Sequence, residues 1–548
     1  MKKNMFFLVS TQLYRAALVL FLSLLAGCGG GTMLLNRETI ASIPSSPSAE
    51  HRIIYFAKTF TYTPEGKLME KTHKVVRVGE NAPAFPSLVY VFDNSLNKLL
   101  NFEARVIHRN GDVENRSAAD LTSFNLSSAQ MIAEQYVKAA SIKERMTTGD
   151  LVETASLHEL TLVPLGVNFS LSELEYTAEN IMCTVELPRR DSLRFKIVND
   201  TVRAIARDSA ATKLITFRWP SYTPPSQQRR EMEKKNQSPH LYAARTPETW
   251  ESFGDWYMSL ADPKLQPGSE IVKTARAVTA GKNTPKEKLD AIFEYCQRNV
   301  RYEQVYLPQG EIIPNGVETI LARKYGDCKD YSAIMHAMAR SINVQTQLAL
   351  CYRGRGKEFF DDMPVSQFNH CILHYEENGR DYWYDGTNRV GLSGITTFDL
   401  ANARALVLEK GKSRLVTIAE SPKNNLSVTG TMFARGSNSL AGDLTVTFSD
   451  QYAIEFFWLD YQANDEKMTT YLSQALKNTL NENIILQNLS WKAEKDRFII
   501  TATCEMPNCV TNLQSYSYIS LARVLPELLP KEIDEKQRQD AFYFPYYN

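Results

Sequence analysis

Hydrophobic residues recur at helical spacing directly after a short polar turn in the second half of the chain. From Tyr331 onward the apolar positions lie three or four residues apart, which predicts a helix with one buried face: Tyr331, Ile334, Met335, Met338, Ala339 and Ile342. The preceding residues, Tyr325-Gly326-Asp327-Cys328, are typical of a turn that leads into a helix. Cys328 therefore falls in the predicted first turn, where free backbone N–H groups and the helix dipole favour a thiolate.

Two strand-like segments follow this helix and are separated by a turn signal. Residues 368–375 and 381–388 each have strand character, and Asn378-Gly379 between them predicts a hairpin. A hairpin places His370 and Asp385 on neighbouring strands. A cysteine at a helix start, a histidine on one strand and an aspartate on the next can act as nucleophile, base and orienting group. The alternative is that Cys328 is a buried cysteine at a helix start without a chemical role.

Short strand-like segments with turns between them dominate on both sides of this central region. From residue 51 to about residue 219 they predict a β-sandwich, and after residue 422 they return around one predicted helix at 466–480. Neither flank shows a cluster of nucleophiles or ligands. The histidines of the first flank are scattered, and we expect them at surface or strand positions rather than around a metal: His51, His73, His108 and His158.

The first 28 residues have the pattern of a secretory signal. Lys2, Lys3 and Arg15 precede an apolar run at 16–26, which is too short to span a bilayer comfortably and is followed by small residues. The segment 25–28, Leu-Ala-Gly-Cys, resembles the bacterial lipoprotein cleavage box. This resemblance implies acyl chains on Cys28, and so a membrane anchor in the bacterial cell envelope. Because no aspartate follows Cys28, the resemblance favours an outer-membrane lipoprotein that faces the periplasm.

Composition shifts mark the boundaries between the segments. Residues 220–239 combine prolines with charge runs and predict a linker, whereas Thr-Pro pairs at 246–247 and 284–285 predict helix starts. The chain is therefore predicted to be a multidomain α+β protein with a signal peptide (1–27), a lipidated cysteine and polar tether (28–50), an N-terminal β-sandwich (51–220), a linker (221–240), a catalytic domain (241–415) and a C-terminal β-rich domain (416–548).

Three short motifs resemble those of a known family. They are Gly-Asp-Cys-Lys-Asp at 326–330, Phe-Asn-His at 368–370 and Tyr-Asp-Gly-Thr-Asn at 384–388. Together they resemble the core of the transglutaminase-like cysteine enzymes, and in particular bacterial exported proteins with a β-rich domain before such a core. The resemblance implies a papain/transglutaminase-like α+β core with Cys328 as nucleophile, His370 as base and Asp385 as orienting residue. It also makes Tyr302 and Gln304 candidates for binding the oxyanion.

The same resemblance implies chemistry on amide bonds of proteins or peptides, peptidoglycan peptides included. Attack by Cys328 would give a thioester, which either water or an amine would resolve, and the sequence leaves hydrolysis and transamidation both open. One departure from the family is Gly386, where proline or alanine is usual. The alternative function is a non-catalytic envelope binding or assembly lipoprotein that uses its β domains and keeps the core as a scaffold.

Charge and cysteine usage exclude some other classes. Lysine plus arginine and aspartate plus glutamate are both 62, so the balanced charge gives no argument for a nucleic-acid partner. Among the eight cysteines, Cys504 and Cys509 flank a Pro-Asn turn and are candidates for a disulfide. His370, Cys371 and His374 do not form a metal set, because adjacent strand residues point to opposite faces. We expect no metal and no cofactor.

Overall fold

The structure is a computed structural model of the chain. It describes residues 33–519 except for 44–48, 81–87, 94–96, 126–130, 134–135, 144, 162–165, 226–237, 247, 307–311, 355–357, 398, 420–424, 481 and 514–515. The predicted signal peptide and Cys28 lie outside the described residues. No helix in the described part of the chain is long and apolar enough to cross a membrane.

The N-terminal region is built almost entirely from strands. It opens with helix α1 (Arg37–Ser42) and contains three-residue 3₁₀ helices at Ala118–Asp120 and Leu171–Glu173. Its strands are β1 (Arg52–Tyr62), β2 (Leu68–Arg77), β3 (Leu88–Asp93), β4 (Asn97–Ile107), β5 (Val113–Ser117), β6 (Thr122–Asn125), β7 (Met131–Ala133), β8 (Tyr136–Ser141), β9 (Leu151–Leu160), β10 (Val167–Ser170), β11 (Thr177–Pro188), β12 (Ser192–Val198), β13 (Ile205–Asp208), β14 (Thr212–Tyr222) and β15 (His240–Thr246).

One large sheet organises this region and is covered on both faces. Among the described residues it runs in the order β13-β14-β11-β1-β2-β9-β4-β5, and the sheets β10-β15-β12 and β3-β8-β6 supply residues to the core on one of its faces. Strand β1 is buried on both faces, and a register irregularity between Ile53 and Tyr55 places the consecutive residues Ile54 and Tyr55 in the same core. Ile53 and Phe56 point into the core shared with the two three-stranded sheets, whereas Tyr55 and Ala57 pack with α1 on the opposite face.

The chain before β1 is docked onto the large sheet, although the sequence predicts a polar tether up to residue 50. Leu35 is buried with Ile40 and Ile43, and these apolar side chains pack on the sheet. The Leu35 N–H donates to Glu153 Oε1 at 2.7 Å. The tether prediction is therefore wrong for residues 33–43, because apolar burial and hydrogen bonds hold them in place.

Glu153 is fully buried and joins three neighbouring strands. It lies on β9 directly opposite Arg105 of β4, and on the same face as His73 of β2, two positions along in register. His73 Nε2 lies 2.8 Å from Glu153 Oε1, and Arg105 pairs with the other carboxylate oxygen and donates to the Leu35 carbonyl at 2.6 Å. His73 is thus a strand residue, as predicted, but it is buried rather than on the surface.

The boundary after the N-terminal region also differs from the prediction. Strand β15 pairs with β10 and β12, and its residues Leu241 and Ala243 are part of the N-terminal core. Residues 240–246 therefore complete the first region instead of beginning the central one. The segment predicted to be a linker (221–240) ends at the first residue of β15, and β15 is hydrogen-bonded to β10 on one side and β12 on the other.

The central region alternates helices with a five-stranded sheet. Its helices are α2 (Trp250–Ala261), α3 (Ser269–Val278), α4 (Pro285–Asn299), α5 (Val317–Arg323) and α6 (Cys328–Ser341), with a 3₁₀ turn at Asp262–Lys264. Its strands are β16 (Arg301–Tyr302), β17 (Gln304–Tyr306), β18 (Tyr325–Gly326), β19 (Gln347–Cys351), β20 (His370–Glu377), β21 (Arg380–Tyr384), β22 (Arg404–Val407) and β23 (Arg414–Thr417). Within the described residues the sheet order is β21-β20-β19-β22-β23, and α6 packs on β20.

The C-terminal region is a smaller α+β unit. It consists of α7 (Gln451–Gln462) and α8 (Asp465–Thr479) with β24 (Leu426–Arg435), β25 (Ser439–Ser449), β26 (Ile485–Ala493), β27 (Arg497–Met506), β28 (Val510–Leu513) and β29 (Tyr516–Ile519). In the described chain four of these strands form a sheet in the order β24-β25-β27-β26. The predicted helix is α8, whereas α7 was not predicted.

The structure corrects the disulfide prediction for this region. Cys504 and Cys509 are both buried thiols. Cys504 is fixed within β27, where it pairs with Gly442 and Leu486, and Cys509 Sγ lies 3.6 Å from the Pro507 carbonyl oxygen. Both cysteines fill the C-terminal core, so apolar packing is their role here.

Candidate active site

Cys328 is the first residue of α6, as the sequence predicts. Asp327 is the N-cap, and its carboxylate accepts a hydrogen bond from the Asp330 N–H at 3.4 Å. Only glycine fits before it, because a Cβ on Gly326 would lie 2.6 Å from Asp330 Cβ. The Cys328 side chain is half-buried, so it reaches solvent while its backbone lies at the helix N-terminus.

Asp330 fixes this helix start to the neighbouring helix. It is fully buried and accepts hydrogen bonds from the Asn315 N–H at 2.8 Å and from Arg323 Nη2 at 2.5 Å. Because Arg323 ends α5, the ion pair ties the last turn of α5 to the first turn of α6. The Gly-Asp-Cys-Lys-Asp motif thus sets the position of Cys328 through its last aspartate.

His370 and Asp385 meet at one end of a hairpin. His370 is the first residue of β20, and Asp385 directly follows the last residue of β21. The predicted Asn378-Gly379 turn is confirmed, and both residues have positive φ. His370 Nε2 lies 3.0 Å from Asp385 Oδ2.

The other oxygen of the Asp385 carboxylate is held by the turn that follows it. Asp385 Oδ1 accepts hydrogen bonds from the Thr387 N–H at 3.1 Å and from Thr387 Oγ1 at 2.7 Å. This is the side chain to backbone turn that Asp favours. The carboxylate therefore begins the turn and orients the histidine at the same time.

The charges of these groups depend on one another. Burial lowers the pKa of His370, but the Asp385 carboxylate and the nearby Cys328 sulfur outweigh it and raise that pKa to about 10. Burial raises the pKa of Asp385, but the His370 ring and the Arg353 guanidinium hold it well below its usual range. The site therefore favours a protonated imidazole between a carboxylate and the Cys328 sulfur.

Arg353 belongs to this site although sequence reasoning did not single it out. Its Nη1 donates to Thr387 Oγ1 at 3.1 Å and lies 3.5 Å from Asp385 Oδ2, and its Nε lies 2.5 Å from Asp399 Oδ2. Its backbone is fixed by Asn369, which accepts from the Arg353 N–H at 2.6 Å and donates to the Arg353 carbonyl at 3.0 Å. The asparagine of the Phe-Asn-His motif is the one sequence signal that leads to it.

Of the two oxyanion candidates, the structure describes the side chain of Tyr302 but not that of Gln304. Tyr302 lies on β16 beside Gly326 of β18, which brings it to the cysteine end of α6. Burial and the charge of Cys328 raise the pKa of Tyr302, so its hydroxyl keeps its proton and can donate. Gln304 lies on β17, which pairs with β7 of the N-terminal region, and its side chain lies outside the described residues.

The departure at Gly386 has a steric cause. A Cβ at this position would lie 2.7 Å from Cδ1 of the Tyr331 ring. Tyr331 is fixed in turn, because it is buried and its hydroxyl donates to the Val300 carbonyl. The bulky residue that follows the Gly-Asp-Cys-Lys-Asp motif therefore requires glycine after Asp385.

The remaining polar groups of the hairpin do not form a metal centre. His374 Nδ1 lies 3.0 Å from Gln347 Oε1, and its Nε2 lies 2.6 Å from Asp381 Oδ1. Across the described residues, no three His, Cys, Asp or Glu side chains are arranged to hold a metal ion. His374 is therefore part of a buried hydrogen-bonded pair within the sheet.

Comparison with known families agrees with this geometry. Residues 272–384 match the model of the transglutaminase-like superfamily, a range that holds Cys328 and His370 and ends one residue before Asp385. The chain contains a transglutaminase-like core. The matched range contains helices α4 to α6, most of α3 and strands β16 to β21, whereas β22 and β23 of the five-stranded sheet lie beyond it.

One solved structure extends the likeness in fold beyond the transglutaminase-like core. A protein described as a "putative protease" from Parabacteroides distasonis is 12% identical, covers 87% of this chain and 95% of its own, and superposes with a TM-score of 0.53. A "putative cysteine protease" from Cytophaga hutchinsonii is 12% identical over 55% of this chain and 79% of its own, with a TM-score of 0.18. The first likeness shows the fold alone. A search of curated proteins found no match.

Proposed function

We propose that this protein is an envelope-anchored cysteine enzyme that acts on amide bonds of proteins or peptides through Cys328, His370 and Asp385. One observation carries the proposal. The His370 ring is held by Asp385 through Nε2, while the Cys328 sulfur is close enough to raise the His370 pKa by its charge and by hydrogen bonding. A thiol at a helix start, a histidine and an orienting carboxylate are the parts of a nucleophilic site.

The reaction begins when the Cys328 thiolate attacks the carbonyl carbon of an amide. An S–C bond forms, and the carbonyl electron pair moves to the oxygen. The Cys328 backbone N–H, which has no partner within the first helical turn, is the first donor for this oxyanion, and the Tyr302 hydroxyl is the second. His370 then gives its proton to the leaving nitrogen, the C–N bond breaks, and a thioester remains.

The neutral His370 that results activates the second reactant. It takes a proton from water, which releases a carboxylic acid, or from an amine, which forms a new amide and completes a transamidation. Attack on the thioester regenerates the Cys328 thiolate in both cases. Asp385 keeps the imidazole in the tautomer whose free nitrogen faces the thiol throughout.

The anchoring part of the proposal rests on the cleavage box at Cys28. Acyl chains on this residue would hold the enzyme on the periplasmic face of the outer membrane, where peptidoglycan peptides are substrates within reach. The mass of the mature N-terminal peptide tests this. An unmodified Cys28, or cleavage at another position, contradicts the anchor without bearing on the active site.

Selective labelling tests the catalytic site. In the folded wild-type protein, iodoacetamide at mildly acidic pH should modify Cys328 well ahead of the buried thiols, and an amide-directed thiol probe should label the same residue. Cys328→Ala should abolish this labelling. Cys296→Ala is the matched control, because Cys296 is fully buried in the same core and burial raises its pKa to about 12.

Two results would sink the proposal. One is equal labelling of Cys296 and Cys328 in the folded protein. The other is a reactive Cys328 with no turnover, by ammonia release or amine incorporation, on glutamine-containing peptides and peptidoglycan fragments. The second result would favour the non-catalytic envelope protein instead.

A further inference from the structure

Arg353 occupies a position that the catalytic scheme does not explain. It contacts none of the reacting atoms, yet its guanidinium lies beside Asp385 and donates to the Thr387 hydroxyl, which itself donates to the other Asp385 oxygen. Arg353 therefore acts on both oxygens of the carboxylate, on one through charge and on the other through a hydroxyl. Its guanidinium is about one-third exposed, so this contact lies at the rim of the site.

A second carboxylate, that of Asp399, forms an ion pair with Arg353 through a different guanidinium nitrogen. Asp399 Oδ2 lies 2.5 Å from Arg353 Nε, and the Gly354 N–H donates to the Asp399 carbonyl at 2.9 Å. The two loops that carry Arg353 and Asp399 are thus joined by side chain and backbone together. A line of alternating charges results, in the order Asp399, Arg353, Asp385, His370 and Cys328.

We propose that Arg353 is a positioning residue which, balanced by Asp399, holds the Asp385 carboxylate against His370 and sets the pH range in which Cys328 is reactive. This inference rests on the proposed function, because it concerns the same thiol. A fixed positive charge beside Asp385 keeps that carboxylate ionised even when His370 has given up its proton. It also weakens the hold of Asp385 on that proton, which allows His370 to act as an acid.

The charges of Arg353 and Asp399 have opposite effects on the pKa values of nearby groups. Removing a positive charge raises the pKa of every group around it, and removing a negative charge lowers it. The titratable or charged groups that face Cys328 and His370 are Tyr257 on α2, Tyr302 on β16, Asp327 and Lys329 at the start of α6, Cys351 on β19, Arg353 on the loop after β19, Cys371 on β20 and Asp385 after β21. All of these except Arg353 stay in place in the variants below.

The test is the pH dependence of Cys328 alkylation by iodoacetamide in the full-length protein. Arg353→Gln should move the midpoint of the profile to higher pH by about 0.5 to 1 unit, and Asp399→Asn should move it to lower pH by a similar amount. The double variant should return near the wild-type midpoint. Asp361→Asn is the matched control, since Asp361 pairs with Arg404 on the surface and should leave the profile unchanged.

A purely structural role for Arg353 predicts a different pattern. Both single variants would then slow alkylation without opposite shifts in midpoint, and the double variant would be the slowest. That pattern, or unshifted midpoints, overturns the inference. If Arg353→Gln does not fold, Asp399→Asn tests the inference alone. A midpoint at lower pH supports it, and an unchanged or higher midpoint overturns it. An unreactive Cys328 in the wild type contradicts the proposed function itself, which separates the two failures.

Discussion

Two groups among the described residues can be compared directly, because each consists of a histidine, a carboxylate and an arginine. The sheet trio is His73, Glu153 and Arg105, and the site trio is His370, Asp385 and Arg353. In both trios the histidine Nε2 binds one carboxylate oxygen, at 2.8 Å in the sheet and 3.0 Å in the site, and the arginine lies within ion-pair distance of the same carboxylate.

The two trios differ in what occupies the remaining positions around them. In the sheet trio, Glu153 has no exposed surface, the Leu35 N–H binds one of its oxygens, and the ring edge of Tyr55 packs on His73 at 5.3 Å. In the site trio the histidine faces a half-buried thiol at a helix start. The half-buried thiol beside His370 is therefore what distinguishes the site trio from the sheet trio.

The largest effect expected is that of Asp385→Asn on reactivity. The amide would hold the imidazole in the wrong tautomer, and comparable substitutions in other triads cost up to about four orders of magnitude in rate. Turnover and the alkylation rate of Cys328 should fall sharply while the variant still folds, since asparagine also forms this turn, although the loss of the ion pair with His370 lowers the melting temperature.

The same hairpin offers the matched control for that substitution. Asp381→Asn alters a carboxylate that binds His374, a histidine without a thiol beside it, and should leave the alkylation rate unchanged. Equal rates in wild type and Asp385→Asn would reduce Asp385 to a turn residue.

Glu153→Gln should have the opposite effect. The protein should become less stable, while the alkylation rate of Cys328 should stay unchanged. It leaves the charge of Arg105 without its buried partner, which typically costs about 3 to 5 kcal/mol in the free energy of unfolding. Urea unfolding measures the loss of stability, and hydrogen exchange of the backbone amides of β2 and β9 shows where in the fold it occurs. Glu159→Gln on the same strand removes only a surface pair with Lys67 and should cost at most about 1 kcal/mol. Similar losses in the two variants would contradict the role of the sheet trio.

A smaller and gradual effect is expected in the pH dependence of the free energy of unfolding. The pKa of His370 is raised from 6.5 to about 10, so its contribution to stability is complete below pH 6.5 and is lost as the pH rises toward 10. The pKa of Asp385 is lowered from 3.8, so its contribution is lost only as the pH falls below that value. The stability difference between wild type and Asp385→Asn should therefore shrink above pH 6.5.

Two other histidines do not disturb this comparison between pH 6.5 and 10. Burial lowers the pKa values of His336 and His374, so both are neutral in the folded protein in this range, and any remaining effect is the same in the two proteins. Urea unfolding of the two proteins across this pH range is the measurement. A difference that stays constant between pH 6.5 and 10 would show that the imidazole and the carboxylate do not form an ion pair.

Local patterns were enough to predict the parts of the site that are close in sequence. The helix start fixed Cys328, and the Asn-Gly turn placed His370 and Asp385 on adjacent strands. Arg353 could not be found in this way, because it lies on a loop after β19 and reaches Asp385 only through the pairing of β19 with β20. Loop residues follow no hydrophobic period, so periodicity does not reveal this contact, and Asn369 of the Phe-Asn-His motif is the one sequence signal that points to Arg353.

The N-terminal region shows the same limit more strongly. The sheet trio comes from β2, β4 and β9, and only the strand order β2-β9-β4 brings its members together. A histidine, an arginine and a glutamate spread along the sequence give no hint of that register. Helix α7 was missed for another reason, because its aromatic residues, such as Phe456, Phe457 and Trp458, have strand propensity and only tertiary packing makes them helical.

The docked segment before β1 has a consequence for the proposed membrane anchor. The Met33 N–H donates to Glu103 of β4 at 3.0 Å, so the chain is fixed on the sheet at that residue. The five residue steps from Cys28 to Met33 span at most roughly 18 Å. A lipid on Cys28 would therefore hold β4 within about two nanometres of the bilayer surface. The depth in the envelope at which Cys328 meets its substrates would then be set by the dimensions of the N-terminal region, and lengthening the segment between residues 28 and 33 would change it.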